Sequence, residues 1–115
     1  MVKTTTTKDS YNEIERIGER CAIVHINPVE QDEIITADEL VIRVTDDNKG
    51  GEIAKLIKTN YPSDVMEAIR NNMDAVRDGL VENPEKAEEY KAEYLAMQAW
   101  RKKAKEIVEQ IMQME

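Results

Sequence analysis

The sequence predicts an α+β fold, mainly α, with a small N-terminal β element followed by helices and a C-terminal antiparallel helical hairpin. Three observations predict it. Residues 21–26 (CAIVHI) and 40–45 (LVIRVT) are dense in β-branched side chains, which favour strands. Residues 63–81 place Val65, Met66, Ile69, Met73, Val76 and Leu80 on one face of a 3.6-residue period. Residues Pro84–Met112 read as one uninterrupted amphipathic helix, roughly 43 Å long at the usual rise.

Taken in order, residues 1–9 predict a flexible tail: four consecutive threonines flanked by lysines offer nothing to bury. Residues 10–115 form the single domain, with a β-rich part at 21–45 and a helical part at 52–113. Ser10-x-x-Glu13 is a capping box, which predicts a short helix with Tyr11, Ile14, Ile17 and Cys21 on one stripe. The first strand follows at 21–26 and is broken by Asn27-Pro28. Ile34-Ile35-Thr36 is a possible third short strand before the run at 40–45; Thr36-x-x-Glu39 offers a competing helix start. Asp46 to Gly51 is a turn by composition.

Glu52 to Thr59 predicts a short helix ended by Tyr61-Pro62, and Ser63 caps the next. Its stripe makes Ile69 and Met73 core residues. Asn83-Pro84 ends that helix and starts the last, with Asn83 as cap and Pro84 at the first helical position. So short a link makes the two helices antiparallel neighbours. The long helix carries a seam at Tyr90, Tyr94, Met97, Arg101, Ala104, Val108 and Ile111, spaced alternately by four and three. A compact domain of this size is about 35 Å across. The helix exceeds that span, so part of its stripe is expected to need a second copy or another protein.

Composition narrows the function classes. The chain has 115 residues, a net charge of −8, no Phe, one Trp and four Tyr. Residues 9–47 hold eleven acids against three bases, so the acidity belongs to the N-terminal half. That balance argues against direct nucleic-acid binding and against anionic membranes, and it permits a basic partner. The first ten residues lack the apolar run of a signal peptide, and no run is long enough to span a bilayer. Cys21 is alone, which fits a reducing, cytoplasmic setting.

No arrangement of residues completes a catalytic or metal motif. Cys21 and His25 have the spacing of two zinc ligands on a helix, but no other Cys or His completes the set. Asp46 to Ile57 has half the pattern of a calcium loop, with Ile57 where a glutamate is required; Pro28 to Glu39 has the other half in another register. Paired acids such as Asp32-Glu33 and Asp38-Glu39 lack the aromatic lining of a sugar cleft. Arg101-Lys102-Lys103 with Lys105 is the basic cluster; it fits cations towards a helix C-terminal half, with Lys105 near Glu109. No catalytic residue, cofactor or metal is expected.

The function expected is therefore non-catalytic. The chain reads as a small acidic interaction or assembly subunit, meeting a protein partner or a second copy through its C-terminal helix. The candidate interface is Tyr90, Tyr94, Leu95, Met97, Trp100, Arg101, Val108 and Ile111. The alternative is an acidic inhibitor or nucleic-acid mimic that occupies a basic cleft through residues 9–47. In style alone the chain resembles small accessory proteins of viruses or mobile elements.

Overall fold

The computed structural model describes residues 2–115. Strands occupy the first part of the chain and helices the rest: β1 (Val2–Thr7), β2 (Ile14–Gly18), β3 (Cys21–Gln31), β4 (Ile34–Arg43), α1 (Lys49–Asn60), α2 (Ser63–Arg77) and α3 (Pro84–Met112), with one 3-10 turn at Lys8–Ser10. The strands form one antiparallel sheet in the order β1-β4-β3-β2. The fold thus differs from the expected one: a four-stranded sheet replaces the small β element, and no separate C-terminal helical hairpin organises the chain.

Each departure has a physical cause. The expected tail is an edge strand, Val2–Thr7, paired in unbroken register with β4 from Val2↔Glu39 to Thr7↔Ile34. Threonine is β-branched, so a threonine run suits a strand once a partner exists. The expected helix after Ser10 is instead β2, pairing Ile14↔Val24 and Arg16↔Ala22. Pairing with the β-branched run 21–26 outweighs the capping box. Asn27-Pro28 does not end β3 but sits in a bulge, where the register shifts between Ile26 and Val29 and Asn27 takes φ +54°. Pro28 is tolerated there because a bulge does not require its missing N–H. β4 joins the two runs read as separate strands.

β3 and β4 are linked by a two-residue turn, Asp32-Glu33, with φ +52° and +64°. Such mirror-image turns favour Asn-Gly, because left-handed backbone costs a side chain energy. Glu33→Gly is therefore expected to stabilise the fold by about 0.5–1 kcal/mol, net of the extra freedom glycine gives the unfolded chain. Urea denaturation checks it, and a loss of stability would contradict the turn geometry.

Among the helices, α1 begins at Lys49, earlier than expected. Asn48 fixes the start: its Oδ1 accepts from Thr45 N–H at 2.7 Å and its Nδ2 donates to Arg43 O at 2.8 Å. Ser63 is the first residue of α2 rather than a hydrogen-bonded cap. α2 stops at Arg77, where Gly79 at φ +72° closes a Schellman motif through Gly79 N–H to Val76 O and Leu80 N–H to Ala75 O. Leu80 leaves the expected stripe and is 73% exposed. Asn83 caps α3, accepting from Glu85 N–H and Lys86 N–H at 2.9 and 3.3 Å.

The chain divides into two compact units, one of Met1–Glu52 with Glu106–Glu115 and one of Ile53–Lys105. In the sheet unit, Ala22, Val24, Ile42 and Val44 are buried with Ile107, Val108 and Ile111 from the end of α3. Arg20 N–H donates to Met114 O at 2.9 Å, and Lys49 pairs with Glu109 at 3.3 Å, so Lys105 is not the partner of Glu109. In the helical unit Leu56, Ile69, Met97 and Ala104 are buried, whereas Met73 is half-buried. Met97, Ala104, Val108 and Ile111 have no exposure at all, so the chain itself covers much of the stripe expected to need a partner.

On the sheet surface the Lys3 ammonium donates to Asp38 at 2.9 Å and holds that carboxyl below its ordinary value; Asn27 adds to the effect, against some loss of solvation. The folded group ionises at lower pH than the unfolded one. Its contribution is thus present above about pH 4 and fades as pH falls through the folded value. Lys3→Gln is expected to move the Asp38 titration upward by NMR; an unchanged midpoint would exclude the pair.

Candidate functional site

The helical unit carries an open groove between α1 and α3. Its floor is apolar, from Ile53 and Ile57, one α-helical turn apart and thus on one face of α1. α3 supplies the other wall with Gln98, Arg101, Lys102 and Lys105, around a volume of about 380 Å³. A smaller hollow of about 190 Å³ adjoins it and shares Ile57 and Arg101, adding Ala54, Met66, Lys58 and Arg70. Five cationic side chains therefore surround an aliphatic floor, and no acidic residue lines either hollow.

Arg101 is half-buried and stands where the two hollows meet. A charge in an apolar seam calls either for a carboxylate partner or for a place at the seam edge with its head in water. Among the described residues, the side chains of Arg101, Lys102 and Lys105 make no hydrogen bond or ion pair. Arg101 thus lies at the edge of the α3 stripe, its stem over the floor and its charge available.

The other expected interface residues separate into groups. Met97, Val108 and Ile111 are fully buried within the chain and face no partner. Trp100 is half-buried and spends its indole N–H on Leu56 O at 3.3 Å. That same carbonyl accepts the Thr59 hydroxyl at 2.6 Å. Tyr90 packs under Lys86, whose Nζ lies 5.1 Å from the ring centre. Tyr94 lies under the Arg77 guanidinium at 5.3 Å. Arg77, with Gln98, holds the Tyr94 phenol below its ordinary value. Leu95 is 65% exposed and lines neither hollow. Sequence reasoning found Arg101 but missed Ile53 and Ile57 as its floor. Their spacing was visible; their apposition to α3 is tertiary.

The calcium-like and zinc-like patterns resolve into ordinary structure. From Lys49 onward the first calcium-like stretch is helix, and Asp46 pairs with Arg20 at 2.9 Å. The second is the β3–β4 turn region. Cys21 and His25 lie on one strand, four residues and about 13 Å apart, too far to share an ion.

No protein family, curated protein or solved structure matches the chain. No described helix is long and apolar enough to cross a membrane.

Proposed function

We propose that the chain is a protein-interaction subunit whose helical unit receives an acidic amphipathic segment of a partner protein. The observation that carries this reading is the groove: an aliphatic floor ringed by five cations, on a protein of net charge −8, with the Arg101, Lys102 and Lys105 side chains making no hydrogen bond or ion pair among the described residues. A segment with apolar residues every third or fourth position would fill the floor, and its flanking carboxylates would meet Arg101, Lys102, Lys105 and Arg70. The floor supplies affinity through burial. The rim supplies orientation, partner choice and on-rate.

Position-specific photocrosslinking in the source cells tests it. A photoreactive side chain at Gln98 should capture a discrete protein whose contact segment is acidic, and Arg101→Glu should abolish the capture. The same group at Leu95 should capture far less. Equal capture from both positions, or capture indifferent to Arg101→Glu, would remove the groove from the interface.

A further inference from the structure

The sheet order places β1 and β2 at opposite edges, yet both border one cleft of about 370 Å³. β2 contributes Glu15, and β1 contributes Thr4, Thr5 and Thr6. Successive strand residues point to opposite faces. Thr4 and Thr6 share the sheet face of Glu39, so with Thr5 between them backbone as well as side chains of β1 borders the hollow. The sheet therefore curls, leaving a gap between its two edges.

The two edges differ in protection. β2 is short and its register shifts between Arg16 and Gly18. Bulges of this kind blunt an edge against further pairing. β1 has six residues, an unbroken register, no proline or glycine, and no bulge. Its Lys3 pairs with Asp38 on the sheet face opposite Thr4, Thr6 and Glu39, and Lys8 beyond its end pairs with Glu30; neither lysine lines the cleft.

The cleft is also charged. Glu15 and Glu39 line it, and no lysine or arginine does. The imidazole of His25, 8% exposed, is tied down within it: its Nδ1 lies 2.6 Å from Asn12 O, which can only accept, and its Nε2 lies 3.4 Å from Glu39 Oε1. The Glu39 side chain remains 28% exposed.

From this combination we infer that the cleft is a strand-addition site for an extended basic peptide. The peptide backbone pairs with the free edge of β1. Its alternate side chains, two residues apart, point into the cleft, where lysine or arginine meets Glu15 and Glu39. This inference does not rest on the helical groove, which lies in the other unit and has the opposite charge.

The test uses the full chain and a fluorescein-labelled peptide, Thr-Lys-Thr-Lys-Thr-Lys-Thr, followed by anisotropy. Saturable binding is expected, with protection of the Thr4–Thr6 amides from hydrogen exchange. Replacing the peptide lysines by glutamates should abolish binding. N-methylation of alternate peptide amides, on the set facing β1, should weaken it by at least about tenfold, because it removes edge hydrogen bonds and leaves the charges. Glu15→Gln, an exposed change that spares the fold, should weaken it about threefold or more. No binding at millimolar peptide would overturn the inference. So would equal binding of both N-methylated sets, which would mean charge attraction alone. Sedimentation showing a dimer that hides the Thr4–Thr6 amides would also overturn it, since a second copy would then occupy the edge.

Discussion

Ile42→Ala is expected to destabilise the protein by about 2–5 kcal/mol, the range for large-to-small changes at fully buried sites. Ile42 has no exposure, pairs with Ala22 across β3–β4, and lies on the same sheet face as Val24 and Val44, both nearly fully buried. Truncation removes packed methyl groups from a layer fixed on one side by the sheet backbone, which limits collapse around the hole. The matched control is Val41→Ala. Val41 is the next residue, on the opposite face, and 48% exposed. Its loss is expected to stay below about 1 kcal/mol. Urea denaturation of the two variants reads strand parity directly. Equal costs would mean that the sheet's buried face has been assigned wrongly.

The second large effect concerns the groove. Arg101→Glu combined with Lys105→Glu reverses two cations that line it and have no ion-pair partner among the described residues. Fold stability should hardly change, because no described ion pair is broken. Affinity for an acidic amphipathic helix should fall by about tenfold or more, since like charges now face each other across a partly desolvated rim. In the unmodified protein the association rate should drop as salt rises, while the apolar floor keeps the complex from vanishing. A variant that lost binding because it unfolded would show it in the same melts.

How much of this was legible in the sequence can be read from particular residues. The long helix was, because Pro84–Met112 carries a continuous stripe and a clean Asn83-Pro84 start. The runs at 21–26 and 40–45 were, because β-branched density is a local signal. β1 was not: Thr4 to Thr7 has no apolar alternation, and its strand state is set by the register with β4, some thirty residues away. β2 was misread because Ser10-x-x-Glu13 speaks for helix locally, whereas pairing with β3 is settled across the Glu19-Arg20 turn. Gly79 was overlooked as a helix stop because the apolar spacing seemed to run on to Leu80.

The candidate sites divide in the same way. Arg101 stood out as a charge within an apolar seam, but the reason it matters is its place beside Ile53 and Ile57, which only the packing of α1 against α3 supplies. Of the α3 residues expected at an interface, Met97, Val108 and Ile111 are buried by the chain itself. His25 and Glu39 are brought opposite each other by the β3–β4 register after its one-residue shift at Asn27-Pro28. That pairing could have been counted back from the Asp32-Glu33 turn, had the turn and the bulge been recognised.

The most direct measurement of the central claim is an NMR titration of the isotope-labelled protein with an acidic amphipathic helical peptide, leucines on one face and glutamates flanking them. Saturable shifts are expected in the amides of Ile53–Ile57 and Gln98–Lys105, small shifts in β1–β4, and no saturation in the Arg101→Glu, Lys105→Glu variant. Shifts spread without preference over both units, or the same saturating response in the folded variant, would contradict the assignment of the groove as the docking surface.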